Sequence, residues 1–176
     1  MRTIVAIMEK SGENVVPRLV AALEKEHIGS QAIYQVATPS KLAKVENPSG
    51  LDSQELTSPI ATGCVTSDSS LNKPTIVKLD EAYLIFEGRA FATNTQMSAA
   101  EIIKKNLTQN YLEFAQSVLK NVEGEYALII TRPSGFIAAR DPVGVQPLYF
   151  GETSEIAAIA SNRAALWRLG IDKPKS

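Results

Sequence analysis

Apolar positions along the chain follow two periods. Residues 3–8, Thr-Ile-Val-Ala-Ile-Met, form a short apolar run that reads as a buried strand, and Ser11-Gly12-Glu13-Asn14 behind it supplies turn and cap side chains. Val16, Leu19, Val20 and Leu23 then fall at i, i+3, i+4 and i+7. That spacing predicts a helix with one face on a sheet, Pro17 tolerated in its first turn and Gly29 as its stop. Residues 31–36 suit a second strand. From Thr38 to Pro59, three prolines and many Ser and Lys residues break any period, which predicts a long mobile excursion.

Residues 60–66, 75–79 and 83–86 read as strands, the last two joined as a hairpin by Asp80-Glu81. Ser98-Ala-Ala-Glu101 has capping-box spacing, predicting a helix to about Leu107. A second helix with Leu112, Ala115, Leu119 and Val122 inward should end at Glu123-Gly124. Strands follow at 126–131, 136–139, 148–150 and 156–160, with a Pro133-Ser134-Gly135 turn and a closing helix from about Asn162 to Leu169. Helices grouped between antiparallel hairpins predict an α+β or layered αββα domain over a doubly wound parallel sheet. This domain would span residues 1–171, and the polar, proline-containing 172–176 would be a tail or the start of a linker.

Composition narrows the function. The chain has 176 residues, 44% hydrophobic and 21% charged, which suits one globular domain with a substantial core. A net charge of −1 gives no field toward nucleic acid or an anionic membrane, so neither is expected as a partner. The longest apolar runs are five residues, far short of the roughly 18 to 20 a bilayer requires. No signal-peptide pattern opens the chain and Cys64 is its single cysteine, so the expected compartment is the cytoplasm. Neither a disulfide framework nor a cysteine-based metal cluster can form, and no cofactor is expected.

The most informative segment is Arg140-Asp-Pro-Val-Gly-Val-Gln-Pro-Leu-Tyr149. Physically it is a rigid turn: Pro142 and Pro147 fix φ, Gly144 admits positive φ, and Arg140 and Asp141 can anchor the loop through hydrogen bonds and charge. The segment also resembles the RDP-x-G-x-x-PLY stretch of class II glutamine amidotransferases, especially the glutaminase domain of asparagine synthetase. Glu123-Gly-Glu-Tyr-Ala127 is similar to that family's L-x-G-x-FA strand entry, and Ala160-Ser-Asn-Arg-Ala-Ala-Leu166 to its ASE-x-x-AL segment. Leu84-Ile-Phe-Glu-Gly88 resembles its L-x-x-NG loop, Gln96-Met-Ser-Ala-Ala-Glu-Ile102 its SD-x-EV helix start, and Met1-Arg-Thr-Ile-Val-Ala-Ile7 its MCGI-x-A opening. The six segments keep the family's order. The resemblance implies the N-terminal-nucleophile αββα sandwich.

What the resemblance implies for the site is a set of losses. The family's nucleophile is a cysteine at position 2, freed by removal of Met, with its own α-amine as base. Arg2 stands there, with no nucleophilic atom, and its bulk should keep Met1 in place. The oxyanion-hole Asn-Gly maps to Glu87-Gly88, replacing an amide donor by a carboxylate. The arginine that clamps the glutamine carboxylate belongs near Gly63-Cys64-Val65-Thr66, and no arginine lies between Arg18 and Arg89. The aspartate that holds the α-amine maps to Ala99. The expected degenerate pocket is therefore Arg2, Cys64, Thr66, Glu87, Gly88 and Ala99, without catalytic residues or a metal.

Three side chains offer rival chemistry. Thr3 would be an N-terminal nucleophile if Met1-Arg2 were trimmed. Cys64 would lie near the old pocket, with no basic neighbour to lower its pKa. His27, the only histidine, follows Glu24-Lys25-Glu26 and suits a helix end or solvent. Three functions follow as alternatives: a degenerate amidotransferase domain acting as a structural or interaction module, a hydrolase using Thr3, and a binding domain with a remodelled cavity. The first implies an ATP-dependent synthetase domain as partner, within the same protein or separate, and leaves homo-oligomers open.

Overall fold

A computed structural model of the chain describes residues 2–24, 32–46, 48–52, 55–67, 73–92 and 110–176. The elements are β1 (Arg2–Glu9), α1 (Val16–Glu24), β2 (Ala32–Ala37), β3 (Leu42–Val45), α2 (Ser49–Asp52), β4 (Ile60–Ser67), β5 (Thr75–Lys78) and β6 (Tyr83–Ala92). They continue with α3 (Tyr111–Asn121), β7 (Val122–Arg132), β8 (Gly135–Arg140), β9 (Tyr149–Glu152), β10 (Ile156–Ala160) and α4 (Arg163–Arg168). Six strands form one sheet in the order β3-β2-β4-β1-β10-β9, and four form a second in the order β5-β6-β7-β8. Every pairing is antiparallel.

Strand alternation produces the layers, because successive side chains point to opposite faces. On β1, Val5 and Ile7 pack with Leu19 and Leu23 of α1 and with Ala165 and Leu166 of α4, while Ile4 and Ala6 face the second sheet. There they meet Cys64 of β4, Ile85 of β6 and Ala127 and Ile129 of β7. The outer face of the second sheet buries Leu84, Phe86, Leu128 and Ile130 against Phe114, Ala115 and Val118 of α3. The result is the expected four-layer αββα sandwich. Tyr126 links two layers: its ring stacks on Phe86 at 5.6 Å, and its hydroxyl donates to the Val118 carbonyl at 3.3 Å.

Several local expectations need correction. Residues 38–59 are not without regular structure: β3 pairs with β2 and α2 follows, with Ala43, Leu51 and Leu56 buried. Its apolar residues are too few for a readable period, and pairing with β2 supplies the order. On α3, Leu112 is 54% exposed and the buried residues are Phe114, Ala115 and Val118. The sheet decides that face, and the Asn110 side chain caps the helix by accepting from the Leu112 and Glu113 amides. Val122 begins β7, so Glu123-Gly124 is strand, not a break. Beyond these corrections, Lys175 and Phe150 form an isolated bridge, exchanging backbone hydrogen bonds of 2.8 Å in both directions. The capping box at Ser98-Glu101 lies outside the described residues.

Gly88 and Gly124 belong to the same strand pair and have φ of 121° and 133°. A Cβ at Gly88 would run into the Glu125 carbonyl, and one at Gly124 into that of Arg89. Backbone approach of this kind tolerates no side chain. Gly88→Ala and Gly124→Ala are each expected to cost more than about 3 kcal/mol, because steric overlap adds to backbone strain. Urea denaturation checks this, and a loss under about 1 kcal/mol at either position would show that the strands separate freely.

Candidate functional site

Arg2 opens β1 opposite Thr66 of β4, and alternation places it on the same inter-sheet face as Ile4 and Ala6. Glu87 comes from β6 in the other sheet. Arg2 Nε donates to Glu87 Oε1 at 2.8 Å, with the Arg2 side chain 27% exposed and that of Glu87 1%. The pair thus bridges the two sheets at one end of their shared core. Glu87 Oε2 has no hydrogen-bond partner among the described residues. Burial pushes the Glu87 carboxyl upward, against the pull of the Ser161 hydroxyl, the Arg2 guanidinium and the Gln146 amide.

Neighbouring side chains complete the centre. Gln146 Oε1 accepts from Arg2 Nη2 at 3.5 Å. Ser161 exchanges hydrogen bonds with Ile4: its Oγ accepts from the Ile4 amide at 3.1 Å and its amide donates to the Ile4 carbonyl at 3.0 Å. Cys64 lies opposite Ile4 and is fully buried. Burial, then the nearby Glu87 carboxylate, push its thiol up to about 12. That shift favours the protonated thiol, the less nucleophilic form.

The loop from β8 to β9 crosses beside this centre. Asp141 Oδ1 accepts from the Val145 amide and Oδ2 from the Gln146 amide, both at 2.9 Å, while the Asp141 carbonyl accepts from the Gly144 amide at 2.9 Å. The Asp141 amide donates to the Tyr126 carbonyl at 2.8 Å. Burial works against the Asp141 carboxylate, but the backbone bonds of Gln146, Val145, Gly144 and Tyr126 outweigh it and hold the group below the usual range. Gly144 takes the positive φ, 75°, that the turn pattern anticipates. Asp141 makes the hydrogen bonds that hold the loop among the described residues. The Arg140 guanidinium packs beside Gly144, its Cζ 3.4 Å from where a Cβ would sit.

Four of the residues singled out in the sequence, Arg2, Cys64, Thr66 and Glu87, thus share the inter-sheet face at one end of the sandwich. Gly88 is next on the strand, contributing backbone only. Ala99 and His27 lie outside the described residues. Thr3 faces the other way, sharing the Val5 and Ile7 face toward the helices, and is fully buried, with no hydrogen-bond partner for its hydroxyl among the described residues. Sequence reasoning did not place Gln146 and Ser161 in the centre, because each sits in a segment where a polar residue already has a turn or strand-end explanation. Among the described residues, no group of three His, Cys, Asp or Glu could hold a metal ion, and no helix is long and apolar enough to cross a membrane.

Arg2→Met is expected to cost about 3 to 5 kcal/mol, since it strands a buried carboxylate, and adding Glu87→Met should recover most of that loss. Denaturation midpoints of the two variants decide it, and an Arg2→Met protein as stable as the wild type would refute the pairing. The raised Glu87 group favours the folded state at low pH, and this contribution is lost as pH rises through its folded value. Glu87→Gln should therefore gain on the wild type with increasing pH. The lowered Asp141 group behaves oppositely, contributing at higher pH and losing its contribution as pH falls through its folded value. Asp141→Asn is expected to cost about 2 kcal/mol at neutral pH. Paired urea curves should show that difference shrinking below roughly pH 4.

Residues 80–168, half of the chain, match the glutamine amidotransferase domain family. No curated protein sequence matches the chain. Among solved structures, the chain resembles glutamine phosphoribosylpyrophosphate amidotransferase from B. subtilis complexed with ADP and GMP, with a TM-score of 0.68 and 18% identity. That similarity covers 96% of this chain and 44% of the other. A structure described as the allosteric regulatory enzyme of purine biosynthesis gives a TM-score of 0.63 and 17% identity, covering 96% of this chain and 43% of that one. The chain therefore spans under half the length of either protein.

Proposed function

The chain belongs to the glutamine amidotransferase domain family, with a class II type fold, and from that premise we propose that it is a domain of asparagine-synthetase kind that does not hydrolyse glutamine. Its role in this reading is that of a structural or interaction module for a longer assembly, with an ATP-dependent synthetase domain as partner. The observation that carries the reading is the Arg2–Glu87 ion pair. It occupies the two positions where the resemblance expects a cysteine nucleophile and an oxyanion-hole amide. A guanidinium cannot attack an amide carbonyl, and a carboxylate repels the oxyanion that such an attack creates. Loss of a nucleophile alone costs on the order of 10⁶ in rate.

The Thr3 alternative has little to support it. A shift of one residue turns the side chain to the opposite face of the sheet. Trimming Met1-Arg2 would leave the Thr3 hydroxyl directed at the helix layer, away from Glu87 and Cys64. The other expected losses point the same way: Thr66 and Cys64 stand where a carboxylate-clamping arginine is expected, and neither carries a positive charge.

Glutamate release from glutamine by the purified chain is expected to stay at the level of a protein-free control. Intact mass should show Met1 retained. An Arg2→Cys protein, which restores a thiol at the processed N-terminus, should remain inactive while Glu87 is present. Saturable glutamate release by the unmodified chain would overturn the proposal.

A further inference from the structure

The loop that crosses the end of the sandwich carries a surface that its folding role does not explain. Val143 is 86% exposed and Val145 is 56% exposed. They flank Gly144 in a segment held by both Asp141 carboxylate oxygens and the Asp141 carbonyl, between Pro142 and Pro147. Asn, Asp or Ser would serve the turn at these positions and be better solvated. Two β-branched apolar side chains are instead displayed on a backbone that cannot fold them away.

Arg140 adds charge to this surface. Its half-buried guanidinium lies beside Gly144, between the two valines in sequence, and makes no ion pair or side-chain hydrogen bond among the described residues. The nearest carboxylate in sequence, Asp141, spends both oxygens on the Val145 and Gln146 amides. A guanidinium carries five donors in a planar fork suited to a carboxylate, and arginine is enriched at protein interfaces for this reason. A fixed loop also loses little conformational freedom on binding.

The geometry points to the Val143-Gly144-Val145 tip with Arg140 as a docking surface for a partner protein segment that pairs apolar side chains with a carboxylate. This deepens the reading of the chain as an interaction module and rests on it. The apolar groups cover Val143 and Val145, and the carboxylate takes the Arg140 donors that no side chain among the described residues accepts from. The loop also touches the buried centre, since Gln146 accepts from Arg2 while its amide is held by Asp141. The tip is thereby fixed relative to both sheets.

The test uses the full chain with labelled valine methyl groups and two synthetic peptides as probes, one built of Leu and Glu, the other with Lys in place of each Glu. Saturable shifts of the Val143 and Val145 methyl signals are expected with the Glu peptide, at least about fivefold weaker with the Lys peptide. Arg140→Gln should weaken Glu-peptide binding by a similar factor, and Val143→Ser with Val145→Ser should abolish it. Unchanged unfolding midpoints in these variants would confirm that the fold is kept. No methyl shift, equal shifts with both peptides, or shifts that depend only on the concentration of the chain would overturn the docking surface. None of these outcomes bears on glutamine hydrolysis, so failure here is distinct from failure of the proposed function.

Discussion

A carboxylate buried between two sheets needs a cation, and the architecture at one end of this molecule follows from that requirement. Glu87 reaches the inter-sheet face because β6 alternates, and Arg2 reaches it because β1 does. Breaking either side of such a pair leaves a desolvated charge, whereas replacing both removes the problem. The two positions are therefore physically coupled. The pair also fixes the spacing of the strands that carry it, with Cys64 and Ala127 filling the layer beside it.

From that centre the contacts lead outward. Ser161 holds the N-terminal strand through Ile4, and Gln146 connects Arg2 to the loop that Asp141 organises. The Asp141 amide meets Tyr126, whose ring and hydroxyl tie the second sheet to α3. A single polar chain thus runs from the inter-sheet core to the exposed tip and back to the outer helix layer. Its members come from six elements and loops that are far apart in sequence.

Much of the fold was legible before any coordinates. The short apolar runs around Ile4, Cys64, Ile85 and Ile129 identified the strands, and the Val16 to Leu23 spacing identified α1. Errors fell where local pattern was weak or overruled. Leu112 has helical spacing with Ala115, yet the face of α3 that meets the second sheet carries Phe114, Ala115 and Val118 and leaves Leu112 exposed. Glu123-Gly124 reads as a break, yet it is strand, because a glycine permits the close approach of the Arg89 carbonyl. The candidate site was half legible: Arg2, Cys64, Thr66 and Glu87 could be named, Gln146 and Ser161 could not.

The sequence by itself determined the periods of the elements, the antiparallel layered class and the chemical identity of the side chains at the N-terminus and at Glu87-Gly88, because all of these are local properties of residue type and spacing. Only the tertiary structure decided that Arg2 pairs with Glu87, that Thr3 turns away from them and that Arg140 makes no ion pair among the described residues. Those facts depend on which strand faces lie against one another, and strand register across two sheets is set by packing between residues that the chain keeps tens of positions apart.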